Sequence, residues 1–305
     1  MHIPNSMLHG GVCPVTAVLS ALGVLLAAFT ASRAKNKPTA AKFGAITALI
    51  FAGQMMNFPI SSGTSGHLLG GVMAVALLGM PFGVLAMALV VTIQCLVFSD
   101  GGFTVLGANI LNMAIIGAGI GGLINAYLVK KFSAKSSGYA IGLGVTAWVS
   151  VMLAALACSL ELGISGAIAF PKVVGAMLGT HAIIGIGEGL ITVAVCFALA
   201  SEPIKTSPRR SVTVPLVASG IIAMMLSPFA SGFPDGLEWV AAKYQFFHES
   251  APSFVSPLTD YSVSWIGNEA VSTSLAGLAG VFLTFLIAWG AARILTSPRH
   301  PQTIA

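Results

Sequence analysis

The stretch LLGGVMAVALLGMPFGVLAMALVVTIQCLVF, residues 68–98, decides the class of fold. Its 31 residues include no acid, base or histidine, and a bilayer-spanning helix needs only roughly 20 apolar residues. Gly79-Met80-Pro81 divides the run, because proline removes a backbone donor and disfavours helix just before it. The reading is one inward span, short enough to tilt or be partly re-entrant, and one outward span. The run lacks the apolar-polar alternation of a barrel strand, so helices are expected. The whole chain shares this character: of 305 residues, 56% are hydrophobic and 8% charged, against about 25% charged in soluble domains. The sequence predicts an all-α integral membrane protein.

Further apolar runs lie to either side. Val12 to Ala31, Phe43 to Phe58, Thr104 to Leu128, Tyr139 to Cys158 and Val173 to Ala200 complete a seven-helix bundle over residues 1–210. A polar stretch near Glu202 to Arg210, with Pro203 and Pro208, marks a boundary. The second module, residues 211–305, has two more spans, Val212 to Pro228 and Ser272 to Ile294, flanking an extracytoplasmic polar and aromatic segment.

A net charge of +5 suits nucleic acid in principle, but the placement of the charges excludes that reading. Basic residues cluster in gaps at Arg33 to Lys42, Lys130 to Lys135, Lys205 to Arg210, and Arg293 to Arg299. Most acids, including Asp100, Glu161, Asp235, Glu238, Glu249, Asp260 and Glu269, fall in the other gaps. The positive-inside rule makes the basic gaps cytoplasmic. The first basic cluster follows the first span, the reverse of a secretory signal. The N-terminus is therefore expected outside and retained, with the C-terminus cytoplasmic.

His67 heads the decisive run, behind the glycine-rich turn Ser61 to Gly66, and shares the outer face with Met1-His2. A free amine, the His2 amide nitrogen and the His2 imidazole can close one five-membered and one six-membered chelate ring on a metal. A second imidazole would complete four nitrogens in a square plane, which suits Ni(II), Cu(II) and, less strictly, Co(II). Alone, a histidine at a helix end is as readily a polar tip at the interface. His9 reads as a solvated loop residue. Asn57 is placed either as a partner of the N-terminal segment or as a loop-satisfying residue. His181 and Glu188, seven apart on one helix face, read as buried polar groups that fix the bundle. Cys13, Cys95, Cys158 and Cys196 lack C-x-x-C spacing and read as core thiols.

Met1-His2-Ile3-Pro4, the Gly63-Thr-Ser-Gly-His-Leu-Leu-Gly-Gly71 block and the His181-Ala-Ile-Ile-Gly-Ile-Gly-Glu-Gly189 block resemble the CbiM/NikM family. These are substrate-binding components of energy-coupling-factor cobalt and nickel transporters. Pro234-Asp-Gly-Leu-Glu-Trp239 resembles the PDGLE domain of their small accessory subunit, here fused to the first module. The resemblance implies that Ni(II) or Co(II), as the transported substrate, is held by the Met1 amine, the His2 amide and imidazole nitrogens, and His67. It also implies a transmembrane coupling subunit and two ATPase subunits as partners. One departure stands out: family members often carry an acidic residue and glycine where this chain has Asn5-Ser6.

No G-x-x-x-x-G-K-[ST] motif occurs, so this chain supplies no P-loop of its own. The expected function is the metal-binding component of an ATP-driven importer rather than an enzyme. A stand-alone ion-coupled metal permease is the alternative. A metallopeptidase ranks last, since no H-E-x-x-H helix is present. Asp235 and Glu238 are expected to attract cations, with Trp239, Phe246, Phe247 and Trp265 at the interface or over the metal-entry loops.

Overall fold

The computed structural model describes residues 1–60, 63–133, 135–199, 209–247 and 256–296. The chain is almost entirely helical: α1 (Val12–Arg33), α2 (Ala40–Gln54), α3 (Gly71–Leu78), α4 (Met80–Phe98), α5 (Leu106–Lys131), α6 (Ser137–Ile164), α7 (Phe170–Leu199), α8 (Arg210–Phe229), α9 (Gly236–Tyr244) and α10 (Glu269–Thr296). Seven of these, α1, α4 to α8 and α10, are long and apolar enough to cross a bilayer. Their outward faces stay apolar, as at Leu22, Leu25 and Phe29 of α1 and Ile186 and Leu190 of α7. That is the surface expected of helices solvated by lipid.

Two of the three short helices, α2 and α3, are largely buried within the bundle. α2 rises only about 22 Å, yet nearly all of it is buried, packed against α4, α8 and α10. A Cβ on Gly44 would lie 2.9 Å from the Phe285 carbonyl oxygen, so glycine sets the α2–α10 approach. α3 rises about 12 Å, less than half of a roughly 30 Å hydrocarbon core. It is therefore no span by itself. Its N-terminal residue Gly71 sits against the backbone of Gly117 and Ala118, well inside α5.

Several expected boundaries shift. The Phe43 to Phe58 run stops being helix at Gln54. Asn57–Pro59 forms β1, antiparallel to β2 (Ser65–His67), with Asn57 opposite His67. Proline fits β1 because an edge strand can lack an N–H donor. Glu161, assigned to a gap, lies inside α6 and is buried, its Oε2 accepting from Asn112 Nδ2 at 2.7 Å. The boundary expected at Glu202 to Arg210 lies outside the described residues apart from Arg209 and Arg210.

Charge separates the ends of the bundle. Arg33, Lys130, Lys131 and Arg293 occupy the last turns of α1, α5 and α10, where cations complement the helix dipole. Lys37 Nζ donates to the Ser32 and Leu295 carbonyls at 2.7 and 3.3 Å, joining the ends of α1 and α10. Asp100 and Asp235 gather instead around the N-terminal residues.

Candidate metal centre

Residues 1–8 fold back into the bundle and are largely buried, with Met1 3% and His2 7% exposed. Asn109 of α5 clamps this arm at both polar groups of Ile3. Ile3 N donates to its Oδ1 at 2.8 Å, and its Nδ2 donates to Ile3 O at 3.0 Å. Gly102 N donates to the same carbonyl at 2.8 Å. An amide side chain suits this work because it is donor and acceptor at once.

His67 is fixed from below. Glu188 accepts from Leu69 N at 2.6 Å and Gly70 N at 2.8 Å, one amide per carboxylate oxygen. Gln54 Nε2 donates to Leu69 O at 2.6 Å. Gly70 adopts φ +78°, a left-handed turn that glycine accommodates without strain. Gly66 is also required: a Cβ there would lie 2.8 Å from Ile184, blocking the hairpin from α7.

These constraints bring the expected donors together. His67 Nδ1 lies 2.9 Å from the Leu68 carbonyl oxygen, to which it donates, leaving the Nε2 lone pair free. Nε2 is in direct contact with the Met1 amine. The His2 and His67 rings lie 5.4 Å apart between centroids. Both His2 ring nitrogens are buried with no hydrogen-bond partner among the described residues. Burial depresses the His2 pKa to about 4, against the opposing pull of Asp100, so the imidazole is neutral at pH 7. Unpartnered buried nitrogens are costly in a finished core, and neutral imidazole is the state that binds metal. In a chelate that includes the His2 amide, the six-membered ring closes through Nδ1, by way of Cα, Cβ and Cγ.

Two carboxylates flank these nitrogens. Asp235 Oδ2 stands 2.8 Å from the Met1 amine and 3.8 Å from His67 Nε2. Burial opposes its charge, but the amine and His67 hold its pKa well below the usual carboxylate range. Asp100 Oδ1 lies 3.6 Å from His2 Nδ1, too far for a hydrogen bond. Its other oxygen accepts from the Tyr261 hydroxyl at 2.6 Å. Burial works against Asp100 as well, yet His2 and Tyr261 lower its pKa.

The other expected residues divide. His181 Nδ1 donates to the Met177 carbonyl at 2.8 Å, its Nε2 has no partner among the described residues, and the residue lines the same small space as Met1, His67 and Asp235. Asn57 pairs its backbone with His67 and accepts from Ser231 N at 2.8 Å, so it serves the loop. His9 is exposed. The four cysteines are free.

Comparison with known proteins agrees with this architecture. Residues 2–203 match the model of the cobalt uptake substrate-specific transmembrane region, CbiM, and residues 209–297 match the PDGLE domain. The chain belongs to the CbiM family. CbiM-family relatives include a protein of Archaeoglobus fulgidus named as a fused nickel transport protein NikMN, 33% identical over 96% of this chain and 98% of its own. The fused nickel transport protein NikMN of Rhodobacter capsulatus is 27% identical over 93% of this chain and 94% of its own. A crystal structure titled as a transition metal transporter superposes with a TM-score of 0.59 at 27% identity, covering 68% of this chain and 99% of that one.

Asn5-Ser6, where the family resemblance leads one to expect an acidic residue and glycine, forms the turn of the arm. Asn5 Oδ1 accepts from Thr104 N at 3.1 Å and Thr104 Oγ1 at 3.0 Å, as a carboxylate oxygen would. Ser6 takes φ +67°, a conformation that favours glycine. The arm therefore closes through Ser6 at some local strain.

Proposed function

We propose that this chain is the substrate-binding component of an ATP-driven, energy-coupling-factor importer of Ni(II) or Co(II). The metal is taken in a square plane by the Met1 amine, the His2 amide nitrogen, His2 Nδ1 and His67 Nε2. The observation that carries this reading is the burial of three of these groups in one place: an amine against His67 Nε2, beside a neutral His2 ring whose nitrogens have no other partner. Relatives named as nickel and cobalt transport proteins support nickel or cobalt as the cargo. Loading displaces protons from the amine and the amide, so affinity rises with pH.

Residues 1–210 form the metal-binding module and 211–305 the PDGLE module. The site end faces outside and the basic helix ends face the cytoplasm, as the positive-inside rule requires. The chain has no P-loop of its own, and the family resemblance implies that a transmembrane coupling subunit and two ATPase subunits supply the energy.

The test is calorimetry with Ni(II) and Co(II) on the purified chain with its native N-terminus, beside a variant carrying several added residues ahead of Met1. The addition keeps every side chain and moves the amine out of its chelate ring. Tight binding by the native chain alone supports the site, and equal binding by both overturns it. Vesicles holding only this chain should not accumulate Ni(II) under an ion gradient; if they do, the ion-coupled permease takes the place of the ATP-driven reading.

A further inference from the structure

Asp235 comes from the second module, and its two oxygens face different ways. Oδ1 caps α9, accepting from Leu237 N at 2.8 Å and Glu238 N at 2.9 Å. Glu238 Oε2 accepts in return from Asp235 N at 2.9 Å, completing a capping box. Oδ2 takes no part in the cap and points at the Met1 amine.

The turn that presents it is held on two sides. Ser65 N donates to Pro234 O at 2.9 Å and Ser65 Oγ to Phe233 O at 2.8 Å, two residues from His67. Gly236 rests on α7, where a Cβ would come within 3.0 Å of His181 and Ile184. The carboxylate is therefore set by backbone contacts rather than by a flexible loop, and little solvent reaches it.

We propose that Asp235 is a positioning residue of the metal site, whose Oδ2 holds the N-terminal nitrogen against His67 both before and after metal enters. The inference rests on the four-nitrogen reading above. Its basis is the placement of Oδ2, 2.8 Å from the amine and 3.8 Å from His67 Nε2, and the charge is the same in both states. In the ion pair with Asp235 the unloaded amine carries +1. Loading brings in a divalent cation and releases one proton from the amine and one from the His2 amide, so the loaded site again carries +1. A coordinated primary amine keeps two N–H groups, and one of them can still donate to Oδ2. The same carboxylate thus serves both states without moving, and the metal meets nitrogens already ordered. This is the role that outer groups around metal ligands generally play, and its loss typically costs about 10–100-fold in affinity.

The experiment uses the full chain and two readouts: Ni(II) affinity by calorimetry and amide hydrogen exchange in the metal-free protein. Asparagine caps helices about as well as aspartate, so Asp235→Asn retains the cap while placing an amide nitrogen opposite the amine. Asp235→Ser caps too, but is too short to reach. Both variants are expected to bind Ni(II) about 10–100-fold more weakly and to exchange faster across residues 2–8, with residues 236–244 protected as before. Glu238→Gln, which preserves the box, should match the native chain in both readouts. Native affinity and an equally protected arm in Asp235→Asn would overturn the proposal. So would joint loss of protection in the arm and α9, which would reduce Asp235 to a cap. If the chain extended ahead of Met1 binds Ni(II) normally, the four-nitrogen site itself fails. If extension abolishes binding and Asp235→Asn does not weaken it, only the role of Asp235 fails.

Discussion

The two modules contribute different chemistry to one place. The first supplies nitrogen, from Met1, His2 and His67. The second supplies oxygen, directly through Asp235 on the amine and indirectly through Tyr261 on Asp100, which faces His2. The nitrogens are the donors proposed for the cation, whereas the carboxylates place negative charge beside them. The difference teaches that the PDGLE segment is no separate attachment: its cap and its tyrosine close over both ends of the Met1-His2 dipeptide.

The largest expected effect lies on the nitrogen side. An extension ahead of Met1 breaks the amine–amide chelate ring, and the loss of Ni(II) affinity should exceed the roughly 100-fold that bounds the outer-group effects. His67→Ala removes one donor of four and should also exceed that bound, while leaving the Ile3–Asn109 clamp intact by hydrogen exchange. If either variant lost less than Asp235→Asn, the division between donors and positioning groups would collapse.

Next comes the support beneath His67. Glu188→Gln leaves one carbonyl oxygen where two carboxylate oxygens each accept a buried amide. An unsatisfied buried donor costs about 1–3 kcal/mol, so the thermal midpoint in detergent should fall and Ni(II) binding weaken with it. An unchanged midpoint would mean that the loop is held without Glu188.

The pH dependence sharpens the assignment of protons. Loading releases the amine proton and the amide proton, and lower pH opposes both, so apparent affinity should fall by up to about 100-fold per unit as pH drops from 7. The His2 ring adds no third proton over this range. Burial among the amine, His67, Asp100 and Asp235 holds its pKa near 4, so it is already neutral. A three-proton slope between pH 7 and pH 5 would show that one of the two ligand imidazoles, His2 or His67, is charged in the unloaded site.

Much of this was legible in the sequence, and the limits have physical causes. Spans announce themselves through runs of apolar residues, and Met1-His2 and His67 through chelate chemistry and matching blocks. Asn109 left no signal, because an asparagine inside an apolar helix looks the same whether it clamps a chain terminus or bonds a neighbouring helix. Asp235 was legible as an acid but not as a partner of an amine more than two hundred residues away, since no periodicity encodes such a contact. β1 was hidden in a helix end because three residues are too few to show alternation. Glu161 was misplaced because an acid near the end of an apolar run resembles a loop residue until Asn112 is seen beside it.

The smallest effect concerns the turn that closes the arm. Ser6 holds φ +67°, where a side chain is strained and glycine is not. Ser6→Gly relieves that strain but loosens the unfolded chain, so the net change should stay within about 1 kcal/mol, most plainly read as slower exchange at residues 2–8. Asn5→Asp keeps an acceptor for Thr104 N and Oγ1 and should leave Ni(II) affinity within a few-fold. Together the two substitutions give the acid and glycine that the family resemblance leads one to expect here. If the pair changes affinity tenfold or more, the arm reads charge at position 5 as well as shape, and the oxygen contribution of the first module is larger than Asp100 alone.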